Sequence, residues 1–204
     1  MPASYFSELL VGPLPASLWL PLGALAAVLL DRLLGEPRRF HPLVGFGTLV
    51  GWVEKKMNRG GAPWPSRFAG ITAWSLVVLP FVLLAWLLRD DCLAGWLLDV
   101  ALLCFALGGR SLAEHAQRVG SDLSRGDLAA AREHVGWMVS RDTAGLDEAG
   151  VAKACIESTL ENGNDAIFGA LFWFALLGGP GALLFRLANT LDAMWGYRTA
   201  RYRD

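Results

Sequence analysis

Charge is scarce in this chain. Only 18% of its 204 residues are charged, and the net charge is −1. A nearly neutral chain lacks the basic surface that a phosphate backbone attracts, which argues against a nucleic-acid-binding protein. Apolar residues dominate instead: 54% are hydrophobic, nine are Trp, and the mean hydropathy is +0.39. This composition is too apolar for an ordinary soluble domain and is typical of a membrane protein with interfacial Trp residues.

Several common motifs are also missing. The sequence has no Walker A loop, GxGxxG, nucleophile elbow or HExxH, so the usual nucleotide-binding, hydrolase and zinc-protease signatures are excluded. Cys92, Cys104 and Cys155 form no CxxC pair and lack zinc-ligand spacing, and we interpret them as buried thiols in a reducing compartment. A secretory signal peptide begins with a basic region, but no Lys or Arg precedes Arg32 in this sequence. The absence of alternating strand patterns predicts an all-α fold.

Four apolar segments approach the roughly 20 residues that cross a bilayer as a helix. They cover residues 9–30, 68–88, 93–109 and 166–185. The third contains Asp99, and the fourth is broken by the run Gly178-Gly179-Pro180-Gly181. The sequence therefore predicts a polytopic helical membrane protein with about three to four membrane segments. We expect one membrane-embedded domain over residues 1–204, with short cytoplasmic helices.

Basic residues predict the orientation. Residues 31–67 hold seven Lys or Arg and residues 110–165 hold six, which places both loops in the cytoplasm and the N-terminus outside. A single span over residues 166–185 would put the tail from Arg186 onward, with its four arginines, on the outside. A re-entrant segment that turns back at Gly178–Gly181 removes this conflict, and we favour it.

The cytoplasmic segments have helical patterns. Residues 110–119 and 127–139 predict two short amphipathic helices joined by a turn at 121–126, and a third helix is predicted from Asp147 to about Glu161. One face of the second helix is apolar, with Leu128, Val135, Met138 and Val139.

An acidic stripe follows the third predicted helix. Lys153, Glu157, Glu161 and Asp165 fall at successive i, i+4 positions and hence on one face. Three carboxylates on one stripe are suited to a hard cation such as Mg²⁺, especially where phosphates complete its ligand set. The simpler interpretation is a solvated acidic face with a Lys153–Glu157 ion pair.

Three other polar groups have two interpretations each. In Arg141-Asp142-Thr143, either Asp142 or Thr143 could cap a helix, or the arginine could bind phosphate beside an acid. The stiff loop 35–42, with two arginines and His41, could anchor the membrane orientation or receive an anionic substrate. Residues 189–198 could end a helix with interfacial aromatics or bind a polar ligand. We interpret His115 and His134 as surface or pairing histidines.

Four blocks carry a family resemblance. They are Asp31-Arg-Leu-Leu-Gly35-Glu36-Pro37 with His41-Pro42-Leu-Val44-Gly45; Ser111-Leu112 with His115; Arg141-Asp142-Thr143 with Leu146, Ile156-Glu157-Ser158, Glu161-Asn162 and Asp165; and Leu171-Phe172-Trp173, Gly179-Pro180-Gly181, Asn189-Thr190-Leu191-Asp192, Met194, Gly196-Tyr197 and Tyr202. In this order they resemble the adenosylcobinamide-phosphate synthase family of cobalamin biosynthesis, the integral-membrane CobD/CbiB proteins. Glu36 stands where that family usually has Asp, Arg186 where Lys is common, Gly169-Ala170 where Ala-Pro is common, and Ala193 where Ser is common. The chain resembles roughly the N-terminal two-thirds of the family, so we expect a C-terminal portion to be missing.

The resemblance implies ATP-dependent amide-bond formation. The family joins a carboxylate of adenosylcobyric acid to the amine of 1-amino-2-propanol phosphate or a related aminoalcohol phosphate. ATP and Mg²⁺ are the implied cofactors; the corrinoid, the aminoalcohol phosphate and membrane lipid are the implied partners, and a homo-oligomer is possible.

The resemblance also suggests site residues. The catalytic candidates are Asp142, Glu157, Glu161 and Asp192, and the metal candidates are Glu157, Glu161 and Asp165. Substrate and phosphate would contact His41, Arg141, Asn162, Arg186 and Asn189. The competing hypothesis is a non-catalytic membrane sensor or regulatory relative of the same family. A transporter is a third possibility, but Asp99 is the only charge within a predicted span.

Overall fold

The chain folds almost entirely into helices. A computed structural model describes residues 16–36, 42–57, 63–90 and 92–196. The α-helices are α1 Ala16–Leu34, α2 Pro42–Met57, α3 Pro63–Leu88, α4 Leu93–Ala106, α5 Gly109–Ser124, α6 Leu128–Gly136, α7 Glu148–Gly163, α8 Ala170–Leu177 and α9 Gly179–Trp195, with a π-helix at Asn164–Gly169. These described ranges contain no strand, which confirms the predicted all-α fold.

Two stretches of the described residues are long and apolar enough to cross a membrane. They are Phe68–Leu88, within α3, and Leu93–Ser124, which begins with the apolar α4 and continues into α5. Large apolar side chains are exposed over much of α3, with Leu76, Leu83 and Leu87 at 57%, 58% and 81% exposure, while its buried face is apolar as well. A helix that is apolar on every side suits a lipid surrounding. The predicted first span lies partly outside the described residues, so the count of three to four spans stays a prediction.

Three apolar clusters hold the helices together. In the first, α2, α3 and α9 bury Val50, Val77, Val78 and Leu191. In the second, α1 and α4 pack against α8 and α9 around Ala27, Leu103, Phe174 and Ala182. In the third, α5, α6 and α7 bury Val119, Val135, Val151 and Ala154. The described part of the molecule thus combines an apolar helical bundle with a three-helix unit made of α5, α6 and α7.

The three-helix unit corresponds to the predicted cytoplasmic helices, with shifted ends. Helix α5 continues to Ser124, five residues beyond the predicted end, and the turn is made at Gly126. Helix α6 ends at Gly136, so Met138 and Val139 pack against the third cluster from the following loop. Leu128 and Val135 occupy the predicted apolar face.

Residues 166–185 form a hairpin instead of a straight span. Helix α8 ends at Leu177, Gly178 follows with a φ of +69°, and α9 begins at Gly179. Both ends of the hairpin return to Gly108: its amide donates to the Ala166 carbonyl at 3.2 Å, and its Cα faces the Arg186 guanidinium. This hairpin has the folded-back geometry of the re-entrant segment that we favoured. The hairpin places Arg186 on the same side of the bundle as Ala166. The charge of Arg186 therefore does not have to lie across the membrane from Ala166.

Asp99 holds the turn of the hairpin. Its Oδ1 accepts from the Gly179 amide at 2.9 Å, and its Oδ2 pairs with Arg89 Nε at 3.0 Å. The carboxylate therefore caps the N-terminus of α9 from α4, where the helix dipole favours negative charge. Asp99, the only charged residue within a predicted span, thus contacts the glycine-rich break of the span predicted at 166–185.

The cysteine prediction was wrong in one respect. All three thiols are free, as expected, but Cys92 is exposed and Cys104 and Cys155 are only half-buried. Cys92 lies directly before α4, where its Sγ contacts Asp90 Oδ1 at 2.9 Å. Its place in a connecting turn, outside every helix interface, accounts for the exposure.

Candidate active site

Residues from four distant segments meet where α5 begins. We call this cluster the α5 head and define it as Asp31, Glu36, Gly108, Gly109, Arg110, Ala166, Ile167 and Arg186. It combines the end of α1, the start of α5, the π-helix and the middle of α9. Sites that bind or transform small molecules are often assembled in this way, from polar groups that several elements bring to one place.

Asp31 and Arg110 cap each other's helices. Asp31 Oδ2, at the end of α1, accepts from the Arg110 backbone amide at 3.1 Å, so the carboxylate lies at the positive end of α5. In return, Arg110 Nη1 donates to the carbonyl of Leu33 at 2.6 Å, in the last turn of α1. Arg110 Nε also donates to Glu114 Oε1 at 2.8 Å. Each helix thus satisfies the terminal backbone groups of the other.

Gly35 permits this exchange of caps. Its φ is +66°, and its amide donates to the Asp31 carbonyl at 2.8 Å, as in a left-handed helix C-cap. A Cβ at this position would lie 2.8 Å from Arg110 Cδ. Only glycine satisfies both the backbone conformation and the approach of the arginine.

The carboxyl of Asp31 has a perturbed acidity. Burial raises its pKa above the usual 3.8, and the negative charge of Glu36 acts in the same direction. The amides of Arg110 and Gly109, followed by the Arg110 charge, offset part of this rise. A buried acid with a shifted pKa beside further charged groups is a common feature of functional sites.

Glu36 and Arg186 form the second ion pair of the α5 head. Arg186 Nη2 donates to Glu36 Oε1 at 3.0 Å across 150 residues of sequence. The two side chains are 16% and 30% exposed, respectively. The Nε atom of Arg186 is buried and has no hydrogen-bond partner among the described residues. Arg186, predicted to contact phosphate, therefore already has an acidic partner that the sequence analysis did not assign to the site.

The acidic stripe ends at the start of the π-helix, one residue before Ala166 of the α5 head. Glu157 and Glu161 are exposed on α7, whereas Asp165 lies half-buried in the π-helix, where Asn164 Nδ2 donates to its Oδ1 at 3.2 Å. The π-helix begins at Asn164, so Asp165 lies at the point where the regular α-helix of the stripe ends. Single π-turns inserted in helices occur frequently at functional sites.

Glu157 has two cationic partners. Its Oε2 accepts from Arg141 Nη2 at 3.0 Å, which joins two parts of the third sequence block, and its Oε1 lies 3.7 Å from Lys153 Nζ. The Lys153–Glu157 pair of the simpler interpretation is thus present. All three side chains are at least half-exposed, so these pairs add little to folding stability.

The carboxylates fit a magnesium ion only as a minority of its ligands. Within the part of the chain that the structure describes, no three His, Cys, Asp or Glu side chains lie together as a metal site. Mg²⁺ is commonly held by one or two carboxylates together with substrate phosphates and water. The exposed Glu157 and Glu161 suit that arrangement.

Asp142 and Asn162 make local contacts. Asp142 Oδ1 accepts from the Ala144 amide at 2.9 Å, so it caps a turn, and Asp147 caps α7 through the Gly150 amide at 2.8 Å. Asn162 Nδ2 donates to Ser158 Oγ at 2.8 Å, and this hydroxyl donates to the Met138 carbonyl at 2.6 Å. The buried Ser158 thereby ties the loop that carries Arg141 and Asp142 to α7.

The remaining predicted residues lie along α9 or outside the described ranges. Asn189 is half-buried one turn beyond Arg186, and Asp192 is exposed about one turn further on. The prediction for His41 concerns a residue outside the described ranges. Of the predicted substrate-binding residues, Arg186 is the one that the structure brings into the α5 head.

His134 pairs with an acid as predicted, whereas His115 has a buried ring nitrogen without a hydrogen-bond partner among the described residues. His134 Nδ1 contacts the buried carboxylate of Asp122, which also accepts from Arg125 Nη2 at 2.5 Å. His115 packs edge-on against Trp137 with ring centroids 6.1 Å apart, and its Nδ1 is buried without a partner in the described residues.

Sequence reasoning missed Asp31, Glu36 and Arg110 as site residues. Asp31 and Arg110 directly follow the apolar segments 9–30 and 93–109, where a charged group is costly unless it is paired, and Glu36 lies five residues after Asp31. Asp31 and Glu36 also belong to the first resemblance block. That position beside the apolar segments was the available signal.

Comparison with known proteins gives consistent matches. Residues 24–204 match a family model described as "CobD/Cbib protein". A "Cobalamin biosynthesis protein CobD" of Chromobacterium violaceum is 58% identical over 191 residues, covering 92% of this chain and 60% of that protein. One of Stutzerimonas stutzeri is 57% identical over 182 residues, covering 89% and 59%. A "Probable cobalamin biosynthesis protein CobD" of Methanothermobacter thermautotrophicus is 38% identical over 183 residues, covering 88% and 59%.

These matches leave part of each relative uncovered. The chain spans about 60% of the length of the curated relatives it matches. No solved structure matches the chain.

Proposed function

Because the chain belongs to the CobD/Cbib protein family, we propose that it acts in cobalamin biosynthesis as an ATP-dependent amide-forming ligase. The substrates would be adenosylcobyric acid and 1-amino-2-propanol phosphate or a related aminoalcohol phosphate. The product would be adenosylcobinamide phosphate. The observation that supports the proposal is the convergence of four distant chain segments, with two acids and two arginines, at the α5 head.

The chemistry of the reaction matches the groups available. A carboxylate must be activated before an amine attacks it, and an acyl phosphate made from ATP is a suitable activated form. Arginines stabilise phosphate oxygens through charge-assisted hydrogen bonds, and we assign the binding of nucleotide or substrate phosphates to Arg141 and Arg186. Mg²⁺ brought with ATP would neutralise phosphate charge, held by Glu157, Glu161 and Asp165 in part.

Other residues would orient the substrates. Asn162, Asn189 and Asp192 have the donors and acceptors to hold polar groups of the corrinoid. Asp142 is a further ligand or the base that keeps the attacking amine neutral. His41 would contact the aminoalcohol phosphate. We place these residues on the cytoplasmic side of a multi-pass membrane protein, where ATP is available.

The test is product formation by membranes that carry this chain. They receive adenosylcobyric acid, 1-amino-2-propanol phosphate and Mg-ATP, and the amide is detected by mass spectrometry. We expect a product peak that disappears with Glu161→Ala and persists with Glu133→Gln, which changes an exposed acid on α6. A peak unaffected by Glu161→Ala would remove Glu161 from the site.

The absence of product has two interpretations that one addition separates. The membranes are supplied with the part of the C. violaceum relative that this chain does not cover. Restored product would show that the ligase needs the longer chain. If no product forms even then, the ligase proposal fails, and the sensor or regulatory alternative gains.

A further inference from the structure

The charged groups of the α5 head differ in how much of their hydrogen-bonding capacity is used within the protein. Asp31 accepts from the Arg110 and Gly109 amides, and the Arg110 side chain donates to the Leu33 carbonyl and to Glu114. These groups close the ends of two helices and are committed to the fold. Glu36 and Arg186 differ, since the structure records a single hydrogen bond between them.

Arg186 in particular has hydrogen-bond donors that the described residues do not use. A guanidinium presents five N–H donors, and buried donors are normally satisfied. Here Nη2 bonds to Glu36, while Nε is buried with no partner in the described ranges. The side chain is 16% exposed, and that of Glu36 is 30% exposed, so ligand can reach the pair.

We propose that Glu36 and Arg186 form an exchangeable ion pair, which opens to bind a small zwitterion with its phosphate on Arg186 and its ammonium on Glu36. If the ion pair opened and no ligand took its place, both charges would be left unpaired in a largely desolvated environment, which is energetically costly. A ligand with one charge leaves the other partner stranded. A ligand with both charges on neighbouring carbons satisfies both partners at once.

This inference rests on the proposed function, because an aminoalcohol phosphate is a zwitterion of this kind. It adds Glu36 as the residue that recognises the amine, and with it a basis for substrate selection. A phosphate ester without an amine would leave Glu36 unpaired, and an amine without a phosphate would leave Arg186 unpaired. The preference for the zwitterion is therefore built into the pair itself.

The test measures binding and needs no turnover. Purified chain in detergent at neutral pH is titrated calorimetrically with 1-amino-2-propanol phosphate, with propyl phosphate and with 1-amino-2-propanol. We expect the zwitterion to bind at least about tenfold more tightly than either analogue, since charge-assisted hydrogen bonds are the strong ones. Equal affinities for the zwitterion and propyl phosphate would overturn the proposal.

Single substitutions separate the two charges. Glu36→Gln should weaken binding of the zwitterion about tenfold and leave propyl phosphate unchanged or tighter, because only the ammonium loses its partner. Arg186→Gln should weaken binding of both. Arg118→Gln and Glu133→Gln change the charge equally at exposed positions of α5 and α6, and should leave all affinities within about twofold. Unchanged zwitterion affinity in Glu36→Gln would refute the role of Glu36.

A double variant distinguishes binding from folding. Replacing a buried ion pair by apolar residues of similar size is often neutral for stability. Glu36→Leu combined with Arg186→Met should therefore unfold at a temperature closer to the original chain than Arg186→Gln does, yet lose zwitterion binding. Retained binding would show that the pair is only structural. Zwitterion binding without amide product, even when the missing part of the relative is supplied, would leave this inference standing while the ligase proposal fails. Product formation together with zwitterion binding that is insensitive to Glu36→Gln would refute this inference and support the ligase proposal.

Discussion

At the scale of single residues, Gly35 decides whether the α5 head can form. Its left-handed conformation ends α1, and its missing side chain lets Arg110 reach the last carbonyls of that helix. Two helices therefore depend on one position. The sequence shows Gly35 only as part of a resemblance block, because the residue that it accommodates lies 75 positions away.

We predict that Gly35→Ala destabilises the protein by about 1–3 kcal/mol, because a positive φ strains an alanine and the new Cβ displaces Arg110. The measurement is the free energy of unfolding in detergent. Gly45→Ala is the control: this glycine lies within α2, with nothing within 4 Å of an added Cβ, and alanine favours helix by up to about 1 kcal/mol. Equal effects of the two changes would contradict the capping role of Gly35.

Two departures from the family pattern also meet at this scale. Glu36 stands where Asp is usual and Arg186 where Lys is common, and the structure pairs these two side chains at 3.0 Å. Both departures keep their charge. The two departures therefore change the geometry of one ion pair and keep its acid and its base in the same positions. The sequence could not show this, because the partners are 150 residues apart.

At the scale of elements, the α8–α9 hairpin depends on a charge from a neighbouring helix. Asp99 holds the first amide of α9 and the side chain of Arg89 together. The hairpin in turn carries Arg186 back to the α5 head. A contact at the far end of the bundle therefore sets the position of a proposed substrate-binding residue.

We predict that Asp99→Ala lowers the free energy of unfolding by roughly 2–4 kcal/mol. This is less than the 3–5 kcal/mol typical of breaking a buried pair, because Arg89 is 35% exposed. Asp99→Asn keeps an acceptor for the Gly179 amide and should lose less. Thermal and denaturant unfolding in detergent measure both variants. A loss below about 0.5 kcal/mol for Asp99→Ala would show that glycine geometry alone makes the turn.

At the scale of the whole molecule, the open question is which side of the membrane the α5 head faces. The basic residues predict cytoplasmic loops at 31–67 and 110–165, and the hairpin lets α9 lie on the same side. The turn between α3 and α4 would then face outward. Cys92 lies in that turn and is exposed, so the chain contains its own reporter.

We predict that a membrane-impermeant maleimide labels Cys92 on intact cells. In a Cys92→Ser background, Ala193→Cys and Ser140→Cys, both at exposed positions, should be labelled only after the membrane is permeabilised. Labelling yield by mass spectrometry gives the result. If Ala193→Cys is labelled on intact cells while Ser140→Cys is not, the end of α9 lies outside and the cytoplasmic placement of the site is wrong.

The helical class, the apolar segments and the acidic and basic blocks can be read from the sequence alone. Hydrophobic length, helical periodicity and glycine breaks are local properties that each segment carries alone. The Lys153–Glu157 pair followed from i, i+4 spacing for the same reason. The boundaries of α5 and α6 were less accurate, because packing against α7 extends one helix and ends the other.

The pairing of the polar groups, by contrast, emerges only when the helices pack together. Asp31 with Arg110, Glu36 with Arg186, and Asp99 with Gly179 each join residues about 80 to 150 positions apart. No local pattern encodes such pairs. They form because a charge beside an apolar segment must find an opposite charge or a helix end as the bundle packs, and the packed bundle offers few such partners.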